Sequence, residues 1–128
     1  MVPGRVLDVS ALVDITVAKT QYSRSVVAAC LYAGGELCIP ATALAAVLSI
    51  SPLATQIELF ELISNPAVKV DDFTSGKVGD IAEILEGSRD VTAGHVIWCS
   101  RMRKWPVLTD RADELRAFDP HVLIDTLP

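Results

Sequence analysis

The sequence has few cysteines, and they are not arranged as disulfide or zinc motifs are. Only three of its 128 residues are cysteines, Cys30, Cys38 and Cys99, and no two of them form a CxxC pair. Each lies in an apolar stretch, so we expect buried free thiols in a reducing compartment. Residues 1–5 also lack the basic and apolar regions of a signal peptide. These absences predict a cytoplasmic protein without a structural zinc site.

Basic residues are also scarce. The chain has 11 Lys and Arg against 16 Asp and Glu, which gives a net charge of −5 and an isoelectric point near 4.8. This balance excludes a protein that holds nucleic acid by its overall charge. Any such contact must be local, or carried by metal ions. One interpretation of the basic residues in the later part of the chain is a local phosphate-binding rim. These residues are Arg89, Arg101, Arg103, Lys104, Arg111 and Arg116. For Arg101, Arg103 and Lys104 the alternative is a solvated helix end.

One stretch, residues 37–57, contains no charged residue at all. A membrane span is a natural hypothesis for such a stretch. However, Pro40 and Pro52 interrupt it and five hydroxyl and amide residues dilute it. The pattern therefore favours a buried strand and helix, and we expect no membrane association.

Short apolar runs alternate with helical segments along the whole chain. Strands are predicted at 5–9, 36–39, 68–70, 106–109 and 122–124, and helices at 11–19, 23–33, 40–48, 51–63, 74–85 and 90–104. Strands separated by long helices pair in parallel. The sequence thus predicts an α/β fold, a three-layer α/β/α sandwich around a mainly parallel sheet of about four to five strands. The length fits one domain, residues 1–128.

Three carboxylates stand where such a sheet places its ligands, outside the carboxyl ends of the strands. Asp8 ends the first strand, Asp90 opens the late helix, and Asp110 follows the strand at 106–109. Together they could hold a divalent cation. Alternatively, Asp90 is an N-cap and Asp110 a turn residue, which leaves only Asp8 unexplained. Spacing alone favours this alternative.

Other catalytic motifs are missing. The sequence has no G-x-S-x-G, P-loop or dinucleotide-binding fingerprint. His95 and His121 are the only histidines, and no nucleophile is fixed beside either. We expect His95 to be a packed or half-exposed imidazole rather than a catalytic one.

Three segments together resemble a PIN domain in order and spacing: VLDVSAL at 6–12, RDVTAGHV at 89–96 and WPVLTD at 105–110. The resemblance covers nearly the whole chain. PIN domains are small α/β proteins, and many are Mg²⁺- or Mn²⁺-dependent ribonucleases, including toxins of type II toxin-antitoxin pairs. The resemblance therefore implies a divalent metal, an RNA substrate and an antitoxin partner.

The resemblance also implies the site residues. It makes Asp8, Asp90 and Asp110 the acids that hold the metal and act in catalysis, and the hydroxyls of Ser10 and Thr109 often support such a site. The family often has one residue between the Thr and the last acid. That arrangement puts the acid where this chain has Arg111, so Asp113 is an alternative to Asp110.

One acid of the family is missing. A Glu normally lies on the helix after the second strand, and the alignment places Ala46 there. No acid occurs anywhere in residues 37–57, and Glu36 and Glu58 lie on other elements. A general base is typically worth about 10²- to 10⁴-fold in rate, so the loss weakens the case for an enzyme.

Three functions remain open. The first is a metal-dependent endoribonuclease of the toxin kind with weakened activity, and the second is a catalytically inactive RNA- or protein-binding module of the same fold. The third is a structural or regulatory partner whose acids are only caps and turns. Ala46 favours the second over a fully active enzyme, whereas the survival of the three acids favours the first over the third. The RNA target, the antitoxin and the metal stay unspecified.

The apolar content predicts self-association. Hydrophobic residues make up 51% of the chain and the mean hydropathy is +0.41. The chain thus has more hydrophobic side chains than the core of a monomer of this size needs, and the excess would be exposed. PIN domains that resemble this chain often pair two-fold and accept an antitoxin tail in a groove. We therefore expect a homodimer with residues 44–63 in the interface or in the partner groove.

Overall fold

The structure is a computed structural model that describes residues 3–17 and 20–128. The strands are β1 (Gly4–Leu7), β2 (Glu36–Pro40), β3 (Val68–Asp71), β4 (Val107–Thr109) and β5 (Ile124–Thr126). The helices are α1 (Val9–Val17), α2 (Tyr22–Tyr32), α3 (Ala41–Ile50), α4 (Leu53–Ile63), α5 (Val78–Leu85), α6 (Val91–Arg103) and α7 (Ala112–Phe118). A 3₁₀ turn, Ser75–Lys77, precedes α5.

The strands form one sheet in the order β3-β2-β1-β4-β5, and every neighbouring pair is parallel. Alternate side chains on a strand face opposite sides. Accordingly Leu7 packs into one hydrophobic core with α1 and α3, and Val6 packs into the other with α6. The predicted three-layer α/β/α architecture is confirmed. Because β1 is the central strand, the residue that follows it lies in the middle of the carboxyl edge of the sheet.

Several element boundaries differ from the prediction. Val9 begins α1 instead of ending β1, and Ser10 lies inside the helix rather than capping it. Helix α7 was not identified from the sequence, although its Leu115 is fully buried. The last strand pairs with β4 at Ile124–Thr126, which places Val122 before it. Lys19, the predicted end of the first helix, lies outside the described residues.

The uncharged stretch becomes β2, α3 and the beginning of α4. Within residues 3–17 and 20–128, no helix is long and apolar enough to cross a membrane. All three cysteines are free and buried, as predicted.

A glycine allows a close contact between α5 and α6. Gly94 lies in the first turns of α6, and a Cβ added there would come within 2.8 Å of Ile81 Cγ2 and 3.0 Å of Leu85 Cγ on α5. The branched Ile81 side chain cannot rotate such a contact away cheaply. Gly94 therefore sets how closely α5 approaches the N-terminal half of α6.

Replacing Gly94 with alanine should lower the free energy of unfolding by about 1–3 kcal/mol, because it overpacks this contact. The control is Gly79→Ala on α5, where nothing lies within 4 Å of the added Cβ. That variant should gain up to about 1 kcal/mol from helix propensity. Urea unfolding measures the change in the free energy of unfolding of both variants. Equal changes in the two variants would contradict the prediction.

Candidate acidic site

Asp8 is a fully buried carboxylate at the centre of the carboxyl edge of the sheet. Its side chain has 0% exposure, and it joins the end of β1 to the start of α1. Oδ1 accepts the backbone N–H of Val9 at 2.9 Å, and Oδ2 accepts the hydroxyl of Thr109 at 2.8 Å. A carboxylate buried in this way requires an opposite charge.

Arg111 supplies that charge. Its Nε lies 2.7 Å from Asp8 Oδ2 and its Nη2 lies 3.0 Å from Asp8 Oδ1, so the guanidinium donates hydrogen bonds to both carboxylate oxygens. Its remaining nitrogen, Nη1, donates to Asp90 Oδ2 at 2.8 Å. Burial lowers the pKa of Arg111, but the hydrogen bonds and charges of Asp8 and Asp90 outweigh it and raise the pKa above its usual value. The guanidinium is therefore a permanent cation between two acids.

Asp90 has two roles in the structure. It is the N-cap of α6, where its Oδ1 accepts the backbone N–H of Ala93 at 3.0 Å. Its other oxygen accepts from Arg111. The capping alternative considered for Asp90 is thus confirmed, and the same residue also faces Asp8 across the guanidinium.

Asp110 lies beside this pair but not in it. Its side chain is exposed, and its backbone N–H donates to the hydroxyl of Ser10 at 3.0 Å. Asp8, Asp90 and Asp110 nevertheless line the same cleft, of about 610 Å³, at the carboxyl edge of the sheet. Asp113 lies in the first turn of α7 and lines a neighbouring depression instead.

In this arrangement the acids do not fit a divalent cation. The position between Asp8 and Asp90 is taken by the guanidinium, and Ala46, half-buried on α3, supplies no carboxylate. In the described part of the chain, one set of three potential ligand atoms lies within 4.8 Å of one another, and it consists of Asp71, His95 and Cys99. The metal and catalytic roles of Asp8, Asp90 and Asp110 therefore remain predictions.

The Asp71 group is a buried ion-pair network that the sequence analysis missed. His95 Nε2 lies 2.8 Å from Asp71 Oδ2, and His95 Nδ1 lies 2.9 Å from the hydroxyl of Thr42. Lys77 Nζ and Arg103 Nη2 also contact Asp71, at 2.8 and 3.1 Å. The charge of Asp71 is thus already balanced by two cations. His95 has 0% exposure, which agrees with the packed imidazole predicted for it.

Burial shifts the pKa values of this network in opposite directions. It raises the pKa of Asp71, but the hydrogen bonds from Lys77, His95 and Arg103 outweigh it and hold that pKa far below the usual range. Burial lowers the pKa of His95, so its ring is neutral near pH 7. The one sequence signal for Asp71 is its place directly after the strand predicted at 68–70.

Three of the six residues of the predicted basic rim are paired with carboxylates. Arg111 is bound to Asp8 and Asp90, and Arg103 is bound to Asp71. Arg101 pairs with Asp119 at 2.9 Å. These three side chains neutralise neighbouring acids, which leaves them poorly suited to phosphate groups.

Replacing Asp71 with asparagine should lower the free energy of unfolding by roughly 3 kcal/mol near neutral pH, because it leaves Lys77 and Arg103 without their counter-charge. The matched control is Asp72→Asn at the next, exposed position, which should change it by less than about 0.5 kcal/mol. Urea titrations of both variants measure the difference.

The effect should also depend on pH in one direction. The pKa of Asp71 is lowered by folding, so its contribution is complete above the ordinary Asp value of about 3.9 and decreases as the pH falls toward the folded value. An Asp71→Asn penalty that grew in acid would contradict this assignment.

Comparison with known proteins finds similar structures but no match to the sequence. Neither the protein-family models nor the curated proteins contain a match to the sequence. The fold is similar to a chain in the crystal structure of VapBC2 from Rickettsia felis bound to a DNA fragment from their promoter, with a TM-score of 0.72 and 16% sequence identity. The similarity covers 98% of this chain and 99% of that one. The chain therefore has the PIN-like α/β/α fold that its sequence resemblance predicted.

Proposed function

We propose that this protein is a cytoplasmic PIN-fold module of the toxin-antitoxin kind that binds a partner protein and does not hydrolyse RNA. One observation carries the proposal: the guanidinium of Arg111 binds both Asp8 and Asp90. In a metal-dependent nuclease, such acids hold a cation that activates water and stabilises the developing charge. A guanidinium has no bound water of lowered pKa to supply.

A protein partner fits the cleft better than RNA does. The cleft has apolar side chains at its walls, from Val9, Val13, Ile50 and Leu127. The chain is acidic, and Arg111, which lines the cleft, is paired with Asp8 and Asp90. The similar structure is itself a VapBC2 assembly on promoter DNA. These features support an antitoxin-like protein as the occupant of the cleft.

The surface of α3 and α4 supports the predicted homodimer. Ile50 and Leu53 are each 71% exposed, and Ile57 and Phe60 are 50% and 53% exposed. All lie in or beside residues 44–63. Apolar side chains grouped in this way mark protein–protein contacts. We assign the surface to a second copy of the chain and the adjoining cleft to the partner.

The second candidate function is a slow Mg²⁺- or Mn²⁺-dependent endoribonuclease. The observation in its favour is that Asp8, Asp90 and Asp110 line one cleft at the carboxyl edge of the sheet. For these acids to serve as metal and catalytic residues, Arg111 must first leave the position between Asp8 and Asp90.

Incubation of the purified protein with single-stranded RNA and millimolar Mn²⁺ or Mg²⁺ distinguishes the two functions. We expect no cleavage above that of Asp8→Asn and Asp110→Asn, the second of which changes only an exposed side chain. Metal-dependent cleavage that both substitutions abolish would establish the endoribonuclease. Tight RNA binding without cleavage would replace the protein partner with RNA.

Light scattering at tens of micromolar protein should show a dimer that Phe60→Glu converts to a monomer, since the new charge would be buried in the interface. The matched control is Tyr32→Glu on α2, a position 96% exposed and outside the α3–α4 surface. A monomeric wild type, or equal disruption by both variants, would contradict the assignment of this surface.

A further inference from the structure

We propose that Arg111 is a resident cation of the acidic site, and that it excludes divalent metal by occupying the metal's position. The inference deepens the proposed function by naming what holds the acids together when no metal does. It assigns to Arg111 a structural and blocking role in this chain.

The acceptor positions of Asp8 are already filled. An ionised carboxylate offers about four lone-pair sites. On Asp8, Oδ1 accepts from Val9 and Arg111, and Oδ2 accepts from Thr109 and Arg111. A divalent cation could bind Asp8 only by displacing Arg111, because the Val9 donor is a backbone N–H and the Thr109 hydroxyl belongs to a fully buried side chain.

The Arg111 guanidinium is held in place by the residues around it. The backbone N–H of Arg111 donates to the hydroxyl of Thr109 at 3.0 Å, and that hydroxyl donates to Asp8. The same threonine thus fixes both the acid and the chain that carries its counter-charge. The Arg111 side chain is only 19% exposed, so its two-point grip is shielded from water.

Arg111 also joins separate parts of the fold. Asp8 directly follows β1, Asp90 is the N-cap of α6, and Arg111 lies just after β4. A divalent metal bound to carboxylates from the same places would make the same connection. Because the side chain of residue 111 points between the two acids, a carboxylate at this position would complete a set of three.

The inference predicts that metal affinity rises as the charge at position 111 is removed and then reversed. The test uses the full chain with Arg111→Gln, which removes the charge, and Arg111→Asp, which adds a carboxylate. Arg101→Gln is the control, because Arg101 also pairs with a carboxylate, Asp119, but lies outside the cleft. The probe is Mn²⁺ alone, followed by loss of the free-ion EPR signal and by thermal unfolding.

We expect R111Q to bind Mn²⁺ at least tenfold more tightly than wild type or R101Q, and R111D to bind more tightly still. Mn²⁺ at about ten times its dissociation constant should raise the Tm of R111D by roughly 5 °C. Adding Asp8→Asn to R111D should remove both effects. Mn²⁺ binding by wild type as tight as that of R111D would overturn the inference, as would R111Q and R111D that fold and take up no Mn²⁺.

Folding of the variants is also informative. Arg111→Lys keeps a cation and should fold without gaining Mn²⁺ affinity. If R111Q and R111D are unfolded without metal, their recovery in Mn²⁺ supports the inference, and failure to recover overturns it. RNA cleavage by wild type would overturn the proposed function, whereas failure of R111Q and R111D to bind Mn²⁺ overturns only this inference.

Discussion

The charge of Asp8 is the constraint on which the site depends. A carboxylate with no exposed surface, at the end of the central strand, is costly unless every oxygen is bonded and its charge is balanced. The fold meets this need with one backbone amide, one hydroxyl and a two-point guanidinium. Each oxygen of Asp8 accepts two of these hydrogen bonds, and the guanidinium also binds Asp90, so the ends of β1 and β4 and the start of α6 are held in one arrangement.

The parallel sheet has a second buried carboxylate at its carboxyl edge, and the chain balances the charge of both carboxylates in the same way. Asp71 is the last residue of β3 and Asp8 directly follows β1, and each carboxylate receives an arginine from later in the chain. Asp71 receives Lys77 in addition. Buried ion pairs of this kind contribute less to net stability than to the choice of one arrangement, since each unpaired alternative is heavily penalised.

The sequence alone predicted the strands well, because apolar runs bounded by turn residues are local signals. All five predicted strands exist, and their parallel order follows from the helices between them. Asp8 and Asp90 were also identifiable, the first as an acid without a packing role and the second as a cap. Both signals depend only on neighbouring residues.

The pairing of those acids with Arg111 could not be predicted from the sequence. Arg111 is 103 positions from Asp8, and nothing in the local pattern gives the direction of its side chain. It was therefore grouped with the other basic residues as a phosphate-binding rim. Asp71 was missed for the same reason, since its partners come from the 3₁₀ turn and from α6, which is distant in the sequence. Helix α7 is short, and its single fully buried side chain, Leu115, gives too weak a periodicity to identify it.

A counter-ion that belongs to the same chain differs from a bound metal in one further way. The local concentration of the Arg111 guanidinium is set by the geometry of the segment after β4, and does not vary with the solution around the protein. It cannot be chelated, diluted or exchanged for another ion. The charge balance of the acid pair is consequently independent of the cell's supply of divalent metal, and the shape of the cleft that a partner meets is the same in metal-rich and metal-poor conditions.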